Sequence, residues 1–249
     1  MSSVVQPSPS ALSPGDQALA ARVSGAEPTT IAEVIAQMQA IDVLLPGNDG
    51  LKWFNRLYLM VTQQVDLKPP GGAWQNLTWL TGLDVVFAGY YFRTVRDFFA
   101  GVETPSAWNA LFEARFRTGI DRIQFAVAGM NAHINHDLAS ALLDIDTQLN
   151  VTPATGSPES NDYQAINTLL ATVMPAALNM LAVDVLGELA QDTGKIGRLL
   201  AFWDVCKARD LAWDFAGHLR GLSGLTRAAA LEAQDALTGA LGRAILAVV

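Results

Sequence analysis

His133 and Asp137 stand four residues apart in the stretch Gly129 to Ala139, which also holds His136 and so two of the chain's three histidines. On a helix that spacing lets an imidazole and a carboxylate meet. A carboxylate beside an imidazole fixes its tautomer and raises its basicity, which suits a general base. The same spacing lets two ligands share a metal ion. His136 is a further candidate ligand, although on an ideal helix it points about 60° away from the His133 stripe. A metal would need donors from a second helix, and Asp184, Glu188, Asp210, Asp214 and His218 are the candidates. The third reading is structural: a His–Asp pair on an apolar helix can be a satisfied core network that fixes register. Polar groups in such a place are costly unless bonded, paired or bound to metal.

The element that must position this pair is a long helix with two polar faces. At about 100° per residue, His133, Asp137, Ser140 and Asp144 fall on one stripe, with Arg122 upstream on the same line. Arg117, Asp121, Gln124, Asn131 and Asn135 fall almost opposite. Apolar flanks separate the two, as expected of a central helix packed on both sides. Asn131 and Asn135 fit bonds to neighbouring helices or, in a site, to polar groups of a substrate. Two other segments offer partners. In Trp203 to Arg220, the residues Lys207, Asp210, Asp214 and His218 form one ridge, readable as a solvated face or as the far side of a site. Arg209 and Trp213 are spaced to stack, and Trp213 is a candidate wall for a ligand. In Leu83 to Asp97, Asp84 and Tyr91 share a stripe with Ala88 and Val95, so a carboxylate and a phenol can enter the interior together. Trp74 and Trp79 precede that segment and can line a pocket or simply pack.

Around these segments helical periodicity dominates, with no alternating strand pattern and no fixed repeat. A capping box, Thr30 with Glu33, opens the first predicted helix. Asp49 caps a second that ends before Pro69-Pro70-Gly71-Gly72. A third is strongest from Leu83 to Ala100, and Thr104-Pro105 predicts a cap with proline at the first helical position. From Pro105 the chain reads helical to about Asn150, interrupted near Thr118-Gly119. The next helix runs from Ser157-Pro158 to Gln191 with a kink at Pro175. After the turn Asp192-Thr193-Gly194, helices run from Lys195 to Leu219 and from Thr226 to Leu246. Met1 to Pro28, rich in Ser, Pro, Ala and Gly, reads as a disordered lead-in without the pattern of a secretory signal. The expected fold is all-α: one domain over residues 29–249, a bundle of about seven or eight helices around a polar-cored central helix.

Composition narrows the function. Of 249 residues, 51% are hydrophobic and only 16% charged, so many helix faces must be buried. The net charge of -8 and a pI near 4.8 argue against a nucleic-acid binder. Cys206 is the single cysteine, which excludes an internal disulfide framework and fits a reducing, cytoplasmic setting. No stretch has the roughly 18 uncharged apolar residues of a membrane span. Glycine-rich nucleotide loops, a G-x-S-x-G elbow, H-E-x-x-H, paired C-x-x-C, E-x-x-H and D-D-x-x-D are missing, so no motif names a cofactor. Asp144 and Asp146 point roughly 160° apart on an ideal helix and do not form a paired-carboxylate site.

The segment Gly129 to Leu138, with Trp108 to Phe116 upstream and Ala208 to Trp213 downstream, resembles an uncharacterised bacterial and fungal all-helical family with a G-M-N-A-H-I-N-x-D-L core. The resemblance runs from about residue 30 and implies a shared helical fold, with His133 and Asp137 in the motif and His136 at its variable position. It brings no activity. A looser likeness is to zinc-dependent phospholipase C and related nucleases, which use an H-x-x-x-D pair followed by P-x-H; here Ser140 and Leu142 stand where that proline and histidine fall. The leading expectation is an enzyme on a small, largely apolar organic molecule, with His133 as acid/base, Asp137 orienting it, and Asn131, Asn135, Tyr91 and Trp213 against the ligand. The alternatives are a metal-dependent hydrolase using His133 and Asp137 with Asp214 or His218, and a non-catalytic binding or scaffold protein.

Overall fold

Side-chain caps decide where most of these helices begin. The computed structural model describes residues 12–66, 72–183 and 203–247. Within them α1 is Pro14–Val23, α2 Ile31–Leu44, α3 Gly50–Val65 and α4 Leu77–Phe99. Then come α5 Ser106–Ala114, α6 Arg122–Ala132, a π-helical turn His133–Asp137, and α7 Leu138–Leu149. The chain closes with α8 Pro158–Val183, α9 Val205–Arg220 and α10 Gly224–Ala247. No strand occurs among the described residues, and the fold is all-α. The Thr30–Glu33 capping box opens α2 as predicted, and the Asp49 carboxylate accepts the Leu51 N–H at 2.9 Å at the start of α3.

Several boundaries differ from the sequence expectation. Helix α4 starts six residues before Leu83, because Asn76 Oδ1 accepts the Trp79 N–H at 3.1 Å. Thr104 does not cap α5: its hydroxyl bonds Asn109 Oδ1, and the free N–H groups of Ser106 and Ala107 are both taken, at 2.9 Å, by Asp235 from α10. The break after α5 passes through Gly119 at φ +80°, near the expected interruption. Asp184, Glu188, the turn 192–194 and the start of the helix expected from Lys195 lie outside the described residues; α9 itself begins at Val205, where Asp204 Oδ1 accepts the Cys206 and Lys207 N–H groups.

The lead-in is corrected too. Its residues 14–23 form α1, capped by Ser13, and bury Leu19 and Val23. Arg115 holds α1 and α3 together, with its Nε 3.0 Å from Asp49 Oδ1 and its Nη2 3.0 Å from Asp16 Oδ1. A composition of Ser, Pro and Ala hides this, because only two apolar residues and one carboxylate per helix are needed to dock it.

The continuous rod α6–π–α7 is the centre of the bundle. Helices α3 and α10 pack on its first half, and α4 and α9 on its second. Close approach of α3 and α6 depends on Gly129, where an added Cβ would sit 2.5 Å from Phe54 Cβ. The largest fully buried side chains are Trp79, Trp108, Tyr91, Tyr163 and Phe54. Among the described residues no helix is long and apolar enough to cross a membrane.

Candidate acid–base site

The π-helical turn coincides with the residues that carry the chemistry. Its five residues, His133–Asp137, are wound one residue wider than an α-turn, a feature that recurs at functional sites. Asp137 is 1% exposed and receives three donors. Its Oδ2 accepts His133 Nδ1–H at 2.9 Å and Trp108 Nε1–H at 3.0 Å, while its Oδ1 accepts from His136 Nδ1 at 2.7 Å. The predicted His133–Asp137 pair is therefore formed, and His136, which an ideal helix would aim elsewhere, joins it.

A carboxylate only accepts, so the proton of neutral His133 sits on Nδ1 and the lone pair on Nε2. That Nε2 is buried and has no partner among the described residues. The ring is fully buried and lies flat on Phe87, with centroids 3.6 Å apart and planes at 4°. Tyr58 meets it edge-on at 4.6 Å, and Phe54, Trp108 and Tyr91 complete an aromatic cage at 5.8, 5.9 and 6.4 Å. Burial holds the His133 imidazole below its ordinary proton affinity despite the pull of Asp137, so the resting state is the neutral base. Burial would raise the Asp137 carboxyl, but hydrogen bonds from His133 and His136 outweigh it and keep the group ionised.

Asp84 approaches from α4, one turn before Phe87. Its Oδ2 is buried without a partner among the described residues. Burial pushes its carboxyl up to about 7, with Arg209 pulling the other way. Near neutral pH it is half protonated and able to give or take a proton.

The other expected ligand contacts fall elsewhere. Asn131 is fully buried and gives its amide to the Thr238 carbonyl at 3.0 Å, and its Oδ1 accepts from Asn135 at 2.9 Å. Asn135 in turn presents its carbonyl to Gln234 at 2.8 Å, so both bind α10 to the central rod. Tyr91 enters the interior as expected, but its hydroxyl is given to Asn55 Oδ1 at 3.2 Å. Trp213 packs against Tyr163 and Trp79, and Arg209 stacks on Tyr163 at 4.1 Å rather than on Trp213. Lys207, Asp210, Asp214 and His218 all lie on the exposed face of α9, whereas His133 and Asp137 are buried. The set His133, Asp137, Asp214 and His218 is not brought together, and among the described residues no group of three or more such donors is arranged to hold a metal ion.

Asp144 accepts the Tyr90 hydroxyl at 2.8 Å, and Asp146 accepts Trp79 Nε1–H at 2.8 Å and pairs with Arg220. A surface cavity of about 180 Å³ lies here, lined by Tyr90, Ser140, Leu143, Asp144, Leu219, Arg227 and Leu231. It runs along α7 beyond the π-turn and does not include His133.

Sequence reasoning missed Tyr58, Phe87, Trp108 and Asp235. Phe54 and Tyr58 at i, i+4 on the buried face of α3 are a usable signal for the cage. For Asp235 there is none, since a single acid on a long amphipathic helix reads as solvated. No curated protein and no solved structure matches the chain. A model of a family of unknown function, DUF5995, matches residues 31–248, most of the chain's length, and the chain belongs to that family.

Proposed function

We propose that the aromatic cage around His133 is an acid–base site for a small, largely apolar organic molecule. The observation that carries this reading is the buried Nε2 of His133, without a partner among the described residues and held as a lone-pair acceptor by an Asp137 that fixes the opposite nitrogen. An unsatisfied polar atom in a core costs roughly 1–3 kcal/mol, which a purely structural histidine would avoid. In the proposed reaction His133 takes a proton from the ligand at Nε2, and the imidazolium is stabilised by Asp137. Asp84, on the same α4 face as Phe87, is the candidate second proton donor or acceptor. Phe87 of α4 and Tyr58 of α3, which meet the His133 ring, are themselves buried at 8% and 6% exposure. Asp137 orients the base and does not touch the ligand. A single thiol, an acidic chain and no apolar span among the described residues fit a cytoplasmic protein acting on a small molecule rather than on nucleic acid.

The test is ligand-observed NMR with a library of small aromatic and aliphatic carbonyl compounds, on wild type and His133→Phe. The substitution fills the cage with an apolar ring and removes the acceptor. Hits that bind wild type and are lost in the folded variant support the site. A complete lack of hits on folded wild type, or hits unchanged by the substitution, overturns it.

A second reading rests on a different observation. Trp108, Asp137, His136, Asp235 and the N-terminus of α5 close a ring of polar contacts, so the network also specifies how α5, α10 and the π-turn dock. If that is its whole role, Asp137→Asn lowers stability by about 1–3 kcal/mol with no ligand to be found.

A further inference from the structure

We infer that His136 is a positioning residue that governs how readily the buried His133 accepts a proton, acting through the one carboxylate they share. This rests on the acid–base reading of His133 given above, and gives that site a regulator.

The geometry is specific. The two imidazoles occupy opposite oxygens of Asp137, at 2.9 and 2.7 Å, so one negative charge serves two rings. His133 is sealed from solvent, whereas the His136 side chain is 23% exposed and exchanges protons with water. The far nitrogen of His136 faces a second carboxylate: Nε2 lies 3.5 Å from Asp235 Oδ1. Asp235 is itself fixed by the N–H groups of Ser106 and Ala107 at the N-terminus of α5.

The ionisable groups acting on His136 are Asp137 from its own turn and Asp235 from α10. Helix α9 also packs on the turn, but its Lys207, Asp210, Asp214 and His218 are exposed, and its Arg220 is paired with Asp146. From α4 come the neutral Phe87 and Tyr90, the latter bonded to Asp144. Burial alone would lower the proton affinity of His136, and the two carboxylates more than reverse this. When His136 carries its second proton, the charge of Asp137 is spent on it and His133 stays neutral. When His136 gives the Nε2 proton to water, Asp137 is free to stabilise a proton arriving at His133 Nε2. One proton leaves the cluster as one enters, and its net charge is unchanged. Trp108 holds Asp137 in place in both states.

The test is a pH titration of the side-chain imidazoles by ¹H–¹⁵N NMR on the full chain, from pH 5 to 9. The chain has only three histidines, and the exposed His218 serves as internal control. The His133 Nδ1–H resonance is expected to move downfield with the midpoint of His136, as Asp137 turns its full charge to His133. In His136→Gln that movement disappears, and the resonance stays at its high-pH position throughout. In Asp235→Asn the shared midpoint falls by about one pH unit, while His218 is unchanged. A His133 resonance that stays fixed while His136 titrates overturns the inference, as does the same movement in folded His136→Gln. Should His136→Gln not fold, an unmoved midpoint in Asp235→Asn overturns it alone. The readout needs no ligand, so coupled histidines in a protein that binds no probe overturn only the ligand reading, and uncoupled histidines beside a bound probe overturn only this one.

Discussion

At the scale of the residue, two buried polar atoms in one part of the bundle have no partner among the described residues, His133 Nε2 and Asp84 Oδ2, and their pH behaviour differs in sign. Burial depresses His133, which therefore favours the folded state as pH rises and its unfolded counterpart loses its proton. Asp84 is raised to about 7, whereas an unfolded aspartate ionises near 4. Between those values the folded chain holds a proton that the unfolded chain has released, so Asp84 lowers stability progressively as pH climbs from about 4 to 7. Asp84→Asn cannot ionise. Its advantage over wild type is expected to be larger at pH 8 than at pH 5 by on the order of 1–3 kcal/mol, after allowing for the lost attraction to Arg209. Thermal unfolding at the two pH values checks this, and an advantage that does not change with pH would show that Asp84 is already ionised in the fold. That a carboxylate enters the interior at Asp84 is legible from the stripe it shares with Ala88 and Tyr91. That its oxygen is left without a partner is not, because the neighbours come from α3 and α9.

At the scale of the element, most helices are readable because caps and 3.6-residue periodicity are local: Thr30 with Glu33, and Asp49, are spelled out in consecutive residues. The π-turn is not local in that sense. Nothing in His133-Ile134-Asn135-His136-Asp137 distinguishes it from an α-turn, and only the three donors on Asp137 show why the widened winding persists. Helix–helix seams are equally silent until glycines are placed. Gly239 of α10 lies against α5, where a Cβ would come within 2.7 Å of the Ser106 carbonyl oxygen and 2.8 Å of its carbon. Backbone cannot move aside as a side-chain tip can, so Gly239→Ala should separate α10 from α5, loosen the Asp235 cap, and cost about 2–3 kcal/mol in urea unfolding. Gly217 on exposed α9 has only Arg220 Nη1, at 4.0 Å, near such an atom. Gly217→Ala should instead stabilise by roughly 0.5–1 kcal/mol through helix propensity. Equal effects of the two would mean that the α5–α10 seam is not tightly packed.

At the scale of the whole molecule, the all-α class follows from composition and periodicity, and a central rod follows from the two polar faces of one helix. The outer boundary does not, because docking of α1 depends on tertiary partners as distant in sequence as Arg115. Leu19 and Val23 are buried and Asp16 reaches Arg115, the same guanidinium that holds Asp49 at the cap of α3. Arg115 is 5% exposed, and its charge is raised in stability by Asp49 and Asp16 against the cost of burial. Removing residues 1–25 would take away both apolar anchors and uncover the flank of the Arg115–Asp49 pair. Burial of a Leu and a Val is worth about 1.5–3 kcal/mol each, offset by the entropy of ordering ten helical residues. The truncated chain is expected to unfold as one cooperative transition, with stability lower by about 2–4 kcal/mol. Asp16→Asn in the full chain should reproduce only a small part of that loss, since one partly buried ion pair contributes less than two apolar anchors. Calorimetry of the three proteins decides the matter: an unchanged midpoint after truncation would mean that α1 forms without docking, and would return the first 28 residues to the role of a lead-in.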